Sequence, residues 1–311
     1  MKIFVTGASG WIGTAVVPDL INAGHDVVGL ARSDDAAAAL RVMGAQVVRG
    51  SIDDVDVLRA AAAAADGVIH LAFRHDIAFS GGFVEAAQSD RRAIEAFGDA
   101  LSGSGSPLVI ASGVVGLTAN TAGAIPTELD GHTVNPNPTP AQAGPEARRA
   151  NAEFTLSLAD RGIRSAVVRL APTCHGPGDQ GFMASIVGIA RAAGVSGYLG
   201  DGSNRWPATH RLDAAKLFRL ALEHAPAGST LHAVAEEGVR IGDVAAVIAR
   251  QLDIPLVSVA PDDAGGHFTF LAGLIGLDSP VSSARTRELT GWNPTQPGLL
   301  ADLESGHYFR G

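Results

Sequence analysis

Three glycines near the start of the chain carry the clearest chemistry. The first thirteen residues read MKIFVTGASGWIG, with Gly7, Gly10 and Gly13 spaced G-x-x-G-x-x-G. Glycine at the first position lets the chain turn sharply. At the second it lets the backbone approach a pyrophosphate with no Cβ in the way, and at the third it allows close packing of helix on strand. Lys2 to Thr6 is apolar enough for a buried parallel strand, and a helical pattern runs from Trp11 to about Ala23. The backbone at Ser9, Trp11 and Ile12 then offers N–H groups and the positive end of a helix dipole to an anion. Strand, glycine turn and helix in this order indicate dinucleotide binding.

The end of the second strand indicates which dinucleotide. An acid there binds the ribose 2′-hydroxyl of NAD, whereas an arginine accommodates the 2′-phosphate of NADP. Arg32 and Ser33 stand at that point, so NADP(H) is expected over NAD(H). Asp34 and Asp35 fit as helix cap and first-turn acid.

These residues need a scaffold, and the pattern supplies one. Strand-like runs at Asp26–Leu30, Gln46–Arg49, Gly67–Leu71, Pro107–Ala111 and Arg164–Leu170 alternate with helical stretches. The helices fall near Asp34–Met43, Val55–Ala64, Phe83–Leu101 and Glu146–Asp160. Strands separated by helices in this way indicate an α/β fold with a doubly wound parallel sheet of six or seven strands, whose ligands bind at the carboxyl ends of the strands. Residues 1–170 are expected to form the nucleotide-binding domain, with its core also drawing on about 205–235. Residues 171–204 and 236–311 are expected to form a smaller C-terminal substrate lobe. Further helices are expected at Gln180–Ala193, Ile241–Leu252, Asp262–Leu277 and Ser283–Thr290, and a strand near Leu231–Val234.

Composition bounds the function. An apolar content of 46% over 311 residues supplies a core, and a net charge of −9 with no basic block argues against nucleic acid or an anionic membrane surface. No signal peptide or spanning segment is evident, and the single cysteine, Cys174, gives no disulfide framework. A cytoplasmic protein is expected. No metal-ligand pattern stands out.

The motif Thr6-Gly7-x-x-Gly10-x-x-Gly13 resembles that of the extended short-chain dehydrogenase/reductases, the NAD-dependent epimerase/dehydratase family. Later segments extend the resemblance over nearly the whole chain. Gly50-Ser51-Ile52-Asp53 is similar to the stretch that lines the adenine, with Ser51 in the usual Asp slot, and His70-Leu71-Ala72-Phe73 is similar to H-L-A-A, whose backbone runs beneath the cofactor. His70 itself reads as a core histidine. Ser112 falls in the slot of the catalytic serine, and Arg169 to Gly178 resembles the segment that passes the nicotinamide, with Thr173 on the cofactor and His175 in an aromatic slot. Arg74, His75, Arg205, Trp206 and His210 fall where relatives contact substrate. Asp213 is expected to cap the following helix, and Glu128 and Asp130 read as solvated acids of a long polar loop.

The resemblance breaks at one place. The family's proton donor is a Tyr with a Lys four residues on, and this chain has only Tyr198 and Tyr308, neither followed by such a lysine. Aligning the helix on Asn151 puts Pro145 in the Tyr slot and Arg149 in the Lys slot. Arg149 can hold ribose hydroxyls but cannot act as the acid. The resemblance therefore implies an NADP(H)-dependent oxidoreductase acting on a carbonyl or alcohol of a small molecule, with Ser112 polarising the oxygen and His175 or His210 giving the proton. Two further readings stay open: a non-catalytic NADP(H) sensor, which loss of the pair would suit, and a nucleotide-sugar epimerase or dehydratase. Relatives dimerise through the helices Phe83–Leu101 and Glu146–Asp160, so a homodimer is implied as well.

Overall fold

The computed structural model describes residues 1–131 and 139–310. Seven strands form one parallel sheet: β1 (Lys2–Thr6), β2 (Asp26–Ala31), β3 (Gln46–Arg49), β4 (Gly67–His70), β5 (Pro107–Gly113), β6 (Arg164–Leu170) and a later strand, Ser229–Ala233. The three strands between β6 and that last one are β7 (Thr173–His175), β8 (Ser196–Leu199) and β9 (Arg205–His210), so Ser229–Ala233 is β10. The order β10-β6-β5-β4-β1-β2-β3 places β1 centrally and reverses direction of growth between β1 and β4. That switch point opens a crevice at the carboxyl ends of the strands.

Side-chain alternation along these strands builds both faces of the core. Ile3, Val5, Val109 and Val168 face the helices Gly13–Asn22 and Arg211–His224, packing on Val16, Leu20 and Phe218. Phe4, Val68, Leu108 and Ile110 face the other way, onto Leu58, Ile94, Phe97 and Ala152. A sheet covered on both faces explains why its strands read as continuous apolar runs. After β6 the chain builds a smaller assembly. β9 pairs with β7 on one side and with β11 (Glu236–Arg240) on the other, and β8 pairs with β12 (Leu256–Val259). Met183, Ile186, Trp206, Val244, Ile248 and Leu303 share the core of this part.

Several elements depart from their expected limits. The helix expected from Glu146 begins at Pro140, because Thr139 and Gln142 form a capping box ahead of it. The helix expected over Asp262–Leu277 is a chain of short turns, Pro261–Asp263, Ala264–Phe268, Thr269–Leu271 and Ala272–Ile275. Gly265, Gly266 and Gly273 lower helix propensity there, and Thr269 takes a left-handed φ of 52°. Asp213 does not cap its helix. His210 does, its Nδ1 accepting from the Leu212 N–H, while the Asp213 carboxylate accepts from the N–H groups of Thr295 and Gln296 and so pins the Gly291-Trp292-Asn293-Pro294 segment. Ser33, rather than Asp34, caps the helix Asp34–Val42. Part of the polar loop, residues 132–138, lies outside the described residues.

The tightest point of the fold is the glycine turn. A Cβ on Gly13 would lie 2.2 Å from the Gly7 carbonyl oxygen and 2.6 Å from the Ala8 carbonyl carbon, both fixed backbone. Gly13→Ala is expected to cost about 2 kcal/mol or more of stability. Thermal denaturation checks this, and an unchanged midpoint would contradict the packing described.

Candidate active site

The nucleotide cradle has the geometry that its spacing implies. Gly7 sits at φ 65°, and a Cβ there would lie 2.7 Å from the Ala72 nitrogen, so only glycine fits. The Gly10 N–H donates to the Gly7 carbonyl at 2.9 Å, which closes the turn. A Cβ on Gly10 would meet only that oxygen, at 3.2 Å, and otherwise projects into open space. Ile12 precedes the helix Gly13–Asn22 with no side-chain cap. The N–H groups of Trp11 and Ile12 find no acceptor among the described residues. Free donors at a helix N-terminus beside a surface that lacks a Cβ fit a pyrophosphate.

The strand ends on either side of the cradle carry cations. Arg32 is 65% exposed in its side chain and lies 3.5 Å from Asp76. Ser33 spends its hydroxyl as the cap on the Ala36 N–H. Arg49, at the end of β3, donates to the Ser33 carbonyl and pairs with Asp34 at 3.1 Å. Sequence reasoning passed over Arg49, although its place at the end of an adjacent strand was the available signal. Ser51 accepts from the Asp53 N–H, and Ile52 is buried behind it. Arg74, expected to contact substrate, pairs with Asp53 and Asp76, each at 3.0 Å.

Beneath the cradle runs a buried polar chain. The Thr6 hydroxyl lies 2.6 Å from His70 Nδ1, His70 Nε2 lies 3.0 Å from Asp90, and Asn151 Nδ2 donates to the other Asp90 oxygen at 2.7 Å. His70 is the core histidine its apolar setting implied. Leu71 and Ala72 lead from it to Phe73, whose ring carries the Arg148 guanidinium at 3.9 Å and the His75 ring at 5.1 Å. Arg148 makes no ion pair among the described residues, and burial lowers its pKa while Asp90 opposes that. Arg149, the expected ribose cation, instead donates to Glu146 at 2.8 Å. One step along a helix turns a side chain through roughly 100°, from 3.6 residues per turn. That step decides which arginine faces Phe73. His75 is exposed, and partial desolvation together with the Arg148 guanidinium lowers its pKa from 6.5, which favours the neutral ring at physiological pH.

At the ends of β5 and β6, Ser112 and Arg169 are register partners, on the face covered by the helix Pro140–Ser157. Ser112 is 9% exposed. Arg169 donates to the Asp130 carbonyl at 2.9 Å, and Nη1 lies 3.4 Å from His232 Nε2. Glu128 and Asp130 are buried rather than solvated. Glu128 accepts from the Thr286 N–H and hydroxyl, and Asp130 accepts from the N–H groups of Asn120 and Thr127. These loop acids secure the loop to β6 and to the C-terminal part of the chain.

The β7 segment corrects the proton-donor expectation. His175 is 0% exposed, its Nδ1 lies 2.9 Å from Asp302, and Nε2 has no partner among the described residues. A side chain with no accessible surface presents no atom to a substrate. His210 is buried beside it, ring to ring at 5.4 Å, with its Nδ1 used as the helix cap. Thr173 is buried, its hydroxyl donating to the Pro207 carbonyl and its backbone set opposite Ala208 in the β7–β9 pair. Cys174 has its thiol pushed up to about 12 by burial, which suits a filler and not a nucleophile. Tyr308 donates to Asp179 at 2.8 Å, and burial raises its pKa further, so it is no acid near neutrality. Arg205 is locked to Asp278 through two bonds, whereas Trp206 lines a small cavity between Pro172 and Leu274.

Known proteins share this fold. Residues 3–234 match the model of the NAD dependent epimerase/dehydratase family. An uncharacterized protein of Schizosaccharomyces pombe is 45% identical over 309 residues, covering 99% of this chain and 100% of its own. A 2-alkyl-3-oxoalkanoate reductase of Stenotrophomonas maltophilia is 30% identical over 224 residues, 72% of this chain and 66% of its own. Among solved structures, UDP-glucose 4-epimerase of Thermotoga maritima superposes with a TM-score of 0.76 at 20% identity, covering 99% of this chain and 98% of that one. At that identity the likeness shows the fold alone.

The buried ring of His232 generates a pH prediction. Its Nδ1–H donates to the Ser282 carbonyl and its Nε2 faces Arg169, with Glu128 and Asp130 nearby. Burial, the largest cause, lowers its pKa from 6.5 to about 4. The fold therefore favours the neutral ring. Its contribution is complete above pH 6.5 and is lost as pH falls towards 4. His232→Asn should flatten the stability profile between pH 6.5 and 4 in denaturant titrations. An unchanged slope would contradict the assignment.

Proposed function

The chain belongs to the NAD dependent epimerase/dehydratase family, and we propose that it is an NADP(H)-dependent oxidoreductase that reduces a carbonyl group of a small organic substrate. The observation that carries this reading is the uncapped helix N-terminus at Trp11 and Ile12, flanked by Arg32 and Arg49 at the ends of β2 and β3. The two arginines would share the 2′-phosphate, each as a charge-assisted contact. The Stenotrophomonas relative is a reductase by name, which supports the same class of reaction. Epimerase or dehydratase chemistry on a nucleotide sugar has the weaker support, because those reactions lean on the Tyr–Lys pair that this sequence lacks.

When bound, the reduced nicotinamide supplies a hydride to the carbonyl carbon. The chain's own residues do the rest. Gly7, Gly10 and Gly13 seat the pyrophosphate, and Leu71, Ala72 and Phe73 form the floor. Ser112 donates a hydrogen bond to the carbonyl oxygen as negative charge grows on it. Arg148, held over Phe73, takes the positioning role expected of Arg149. With His175 and His210 buried and His75 neutral, the proton that completes the alcohol comes from water.

Removing one arginine–phosphate contact costs about 1.5–3 kcal/mol, roughly ten- to a hundredfold. NADPH should therefore outbind NADH by at least that factor in calorimetric titration, and Arg32→Ala should narrow the gap. Equal affinities would contradict the 2′-phosphate assignment. Gly10→Val should fold, since only one oxygen opposes its Cβ, yet bind no NADPH. Ser112→Ala should lower turnover about a hundredfold with little change in cofactor affinity. A protein that binds NADPH but oxidises it with no aldehyde or ketone would instead be a sensor, the reading that the missing Tyr–Lys pair favours.

A further inference from the structure

We infer that Arg211 is a cofactor-binding residue, its guanidinium taking an oxygen of the dinucleotide's pyrophosphate beside the Trp11 and Ile12 N–H groups. This rests on the reading of the glycine turn as a dinucleotide cradle. Arg211 opens the helix Arg211–His224, which packs against the cradle helix Gly13–Asn22. Two contacts fix how the helices lie. Arg219 reaches Asp19 at 2.7 Å, and the Arg211 guanidinium lies over the Trp11 ring, 4.3 Å from its centroid. The helices therefore run side by side with their N-termini together, and both positive dipole ends face the cradle.

Arg211 stands there without a counterion. Arg219, further along the same helix, pairs with both Asp19 and Glu223, whereas Arg211 makes no hydrogen bond or ion pair among the described residues. Asp213, the acid of the first turn, accepts instead from the Thr295 and Gln296 N–H groups. Asp179 accepts from the Gly181 N–H and the Tyr308 hydroxyl. A cation at a helix N-terminus opposes the dipole, and a half-buried one has also lost part of its water. An anion seated between the two N-termini relieves both costs.

The ring that carries the guanidinium is itself fixed. Trp11 Nε1–H donates to the Cys174 carbonyl at 2.8 Å. A Cβ on Gly176 would lie 3.4 Å from Arg211 Cγ and 2.9 Å from His210 Nε2, so a glycine there makes room for the arginine stem. The cation thus rests on the side chain of a residue whose own N–H is free for phosphate. It faces the part that NAD and NADP share, in contrast to Arg32 and Arg49, which are assigned to the 2′-phosphate.

Calorimetric titration of the full chain with NADP⁺, NAD⁺ and adenosine 2′-monophosphate tests this. Arg211→Met keeps an unbranched stem on the Trp11 ring. It should weaken NADP⁺ and NAD⁺ by the same factor, about ten- to a hundredfold, because each loses one charge-assisted contact. Adenosine 2′-monophosphate has no pyrophosphate and should bind variant and wild type alike. Arg211→Lys keeps the charge but not the planar fork, and its affinities should fall between the two. Circular dichroism checks folding, and if Arg211→Met does not fold, Arg211→Lys decides by whether both dinucleotides weaken equally. A folded variant that binds NADP⁺ as the wild type does overturns the inference alone. So does a loss confined to NADP⁺, which would move the contact to the 2′-phosphate. A wild type that binds neither dinucleotide instead overturns the cradle reading, and the inference with it.

Discussion

Thr6 and His70 end the two central strands of the sheet, and the contact between their side chains governs everything above it. The Thr6 hydroxyl donates to His70 Nδ1 and accepts from the Ala72 N–H, which leaves Nε2–H of His70 to donate to Asp90. Asp90 in turn receives Asn151. Four buried polar groups are satisfied in one line, and each would be costly alone in an apolar core. The line fixes the strand that feeds the glycine turn, the floor at Leu71–Phe73, and the two helices Phe83–Leu101 and Pro140–Ser157. Arg148 stands one helical turn before Asn151, so its position over Phe73 is set by the same anchor.

The glycine turn, by contrast, is local and backbone-driven, and that part was legible in the sequence. Gly7 is demanded by its φ and by contacts below 3 Å and Gly13 by contacts below 3 Å, whereas a Cβ at Gly10 would project into open space. The sheet was legible for a similar reason, because strands buried on both faces leave no polar alternation to misread. His70 announced its burial by its apolar neighbours. Its partners did not, since Asp90 and Asn151 come from helices 20 and 81 residues further along the chain and are joined only by packing.

The candidate chemistry was harder to read. His175 occupies a suggestive position, yet β7 is three residues long and its inward face is set by Asp302 in a helix near the C-terminus. Nothing near His175 in sequence encodes that pairing. Glu128 and Asp130 looked like loop acids because the stretch around them is polar, but Arg169, Thr286 and the loop's own N–H groups bury them. The choice between Arg148 and Arg149 depended on which side of the helix Pro140–Ser157 meets Phe73, and that is set by packing rather than by local sequence. Each difference arises where a long-range partner, rather than local propensity, fixes a side chain.

The site that results separates two tasks that a Tyr–Lys pair would combine. In the proposed reaction, cofactor binding would fall to backbone donors and surface arginines, and substrate polarisation to Ser112. Stereospecific hydride transfer from NADPH to a carbonyl carbon is the central claim, and isotope tracing tests it most directly. NADPH deuterated at C4, in each of its two stereochemical forms, is incubated with the full chain and an apolar aldehyde in ordinary water. The account predicts one deuterium on the carbinol carbon of the product from one form only, by mass spectrometry. Product with no deuterium from either form, or no product at all, would contradict it.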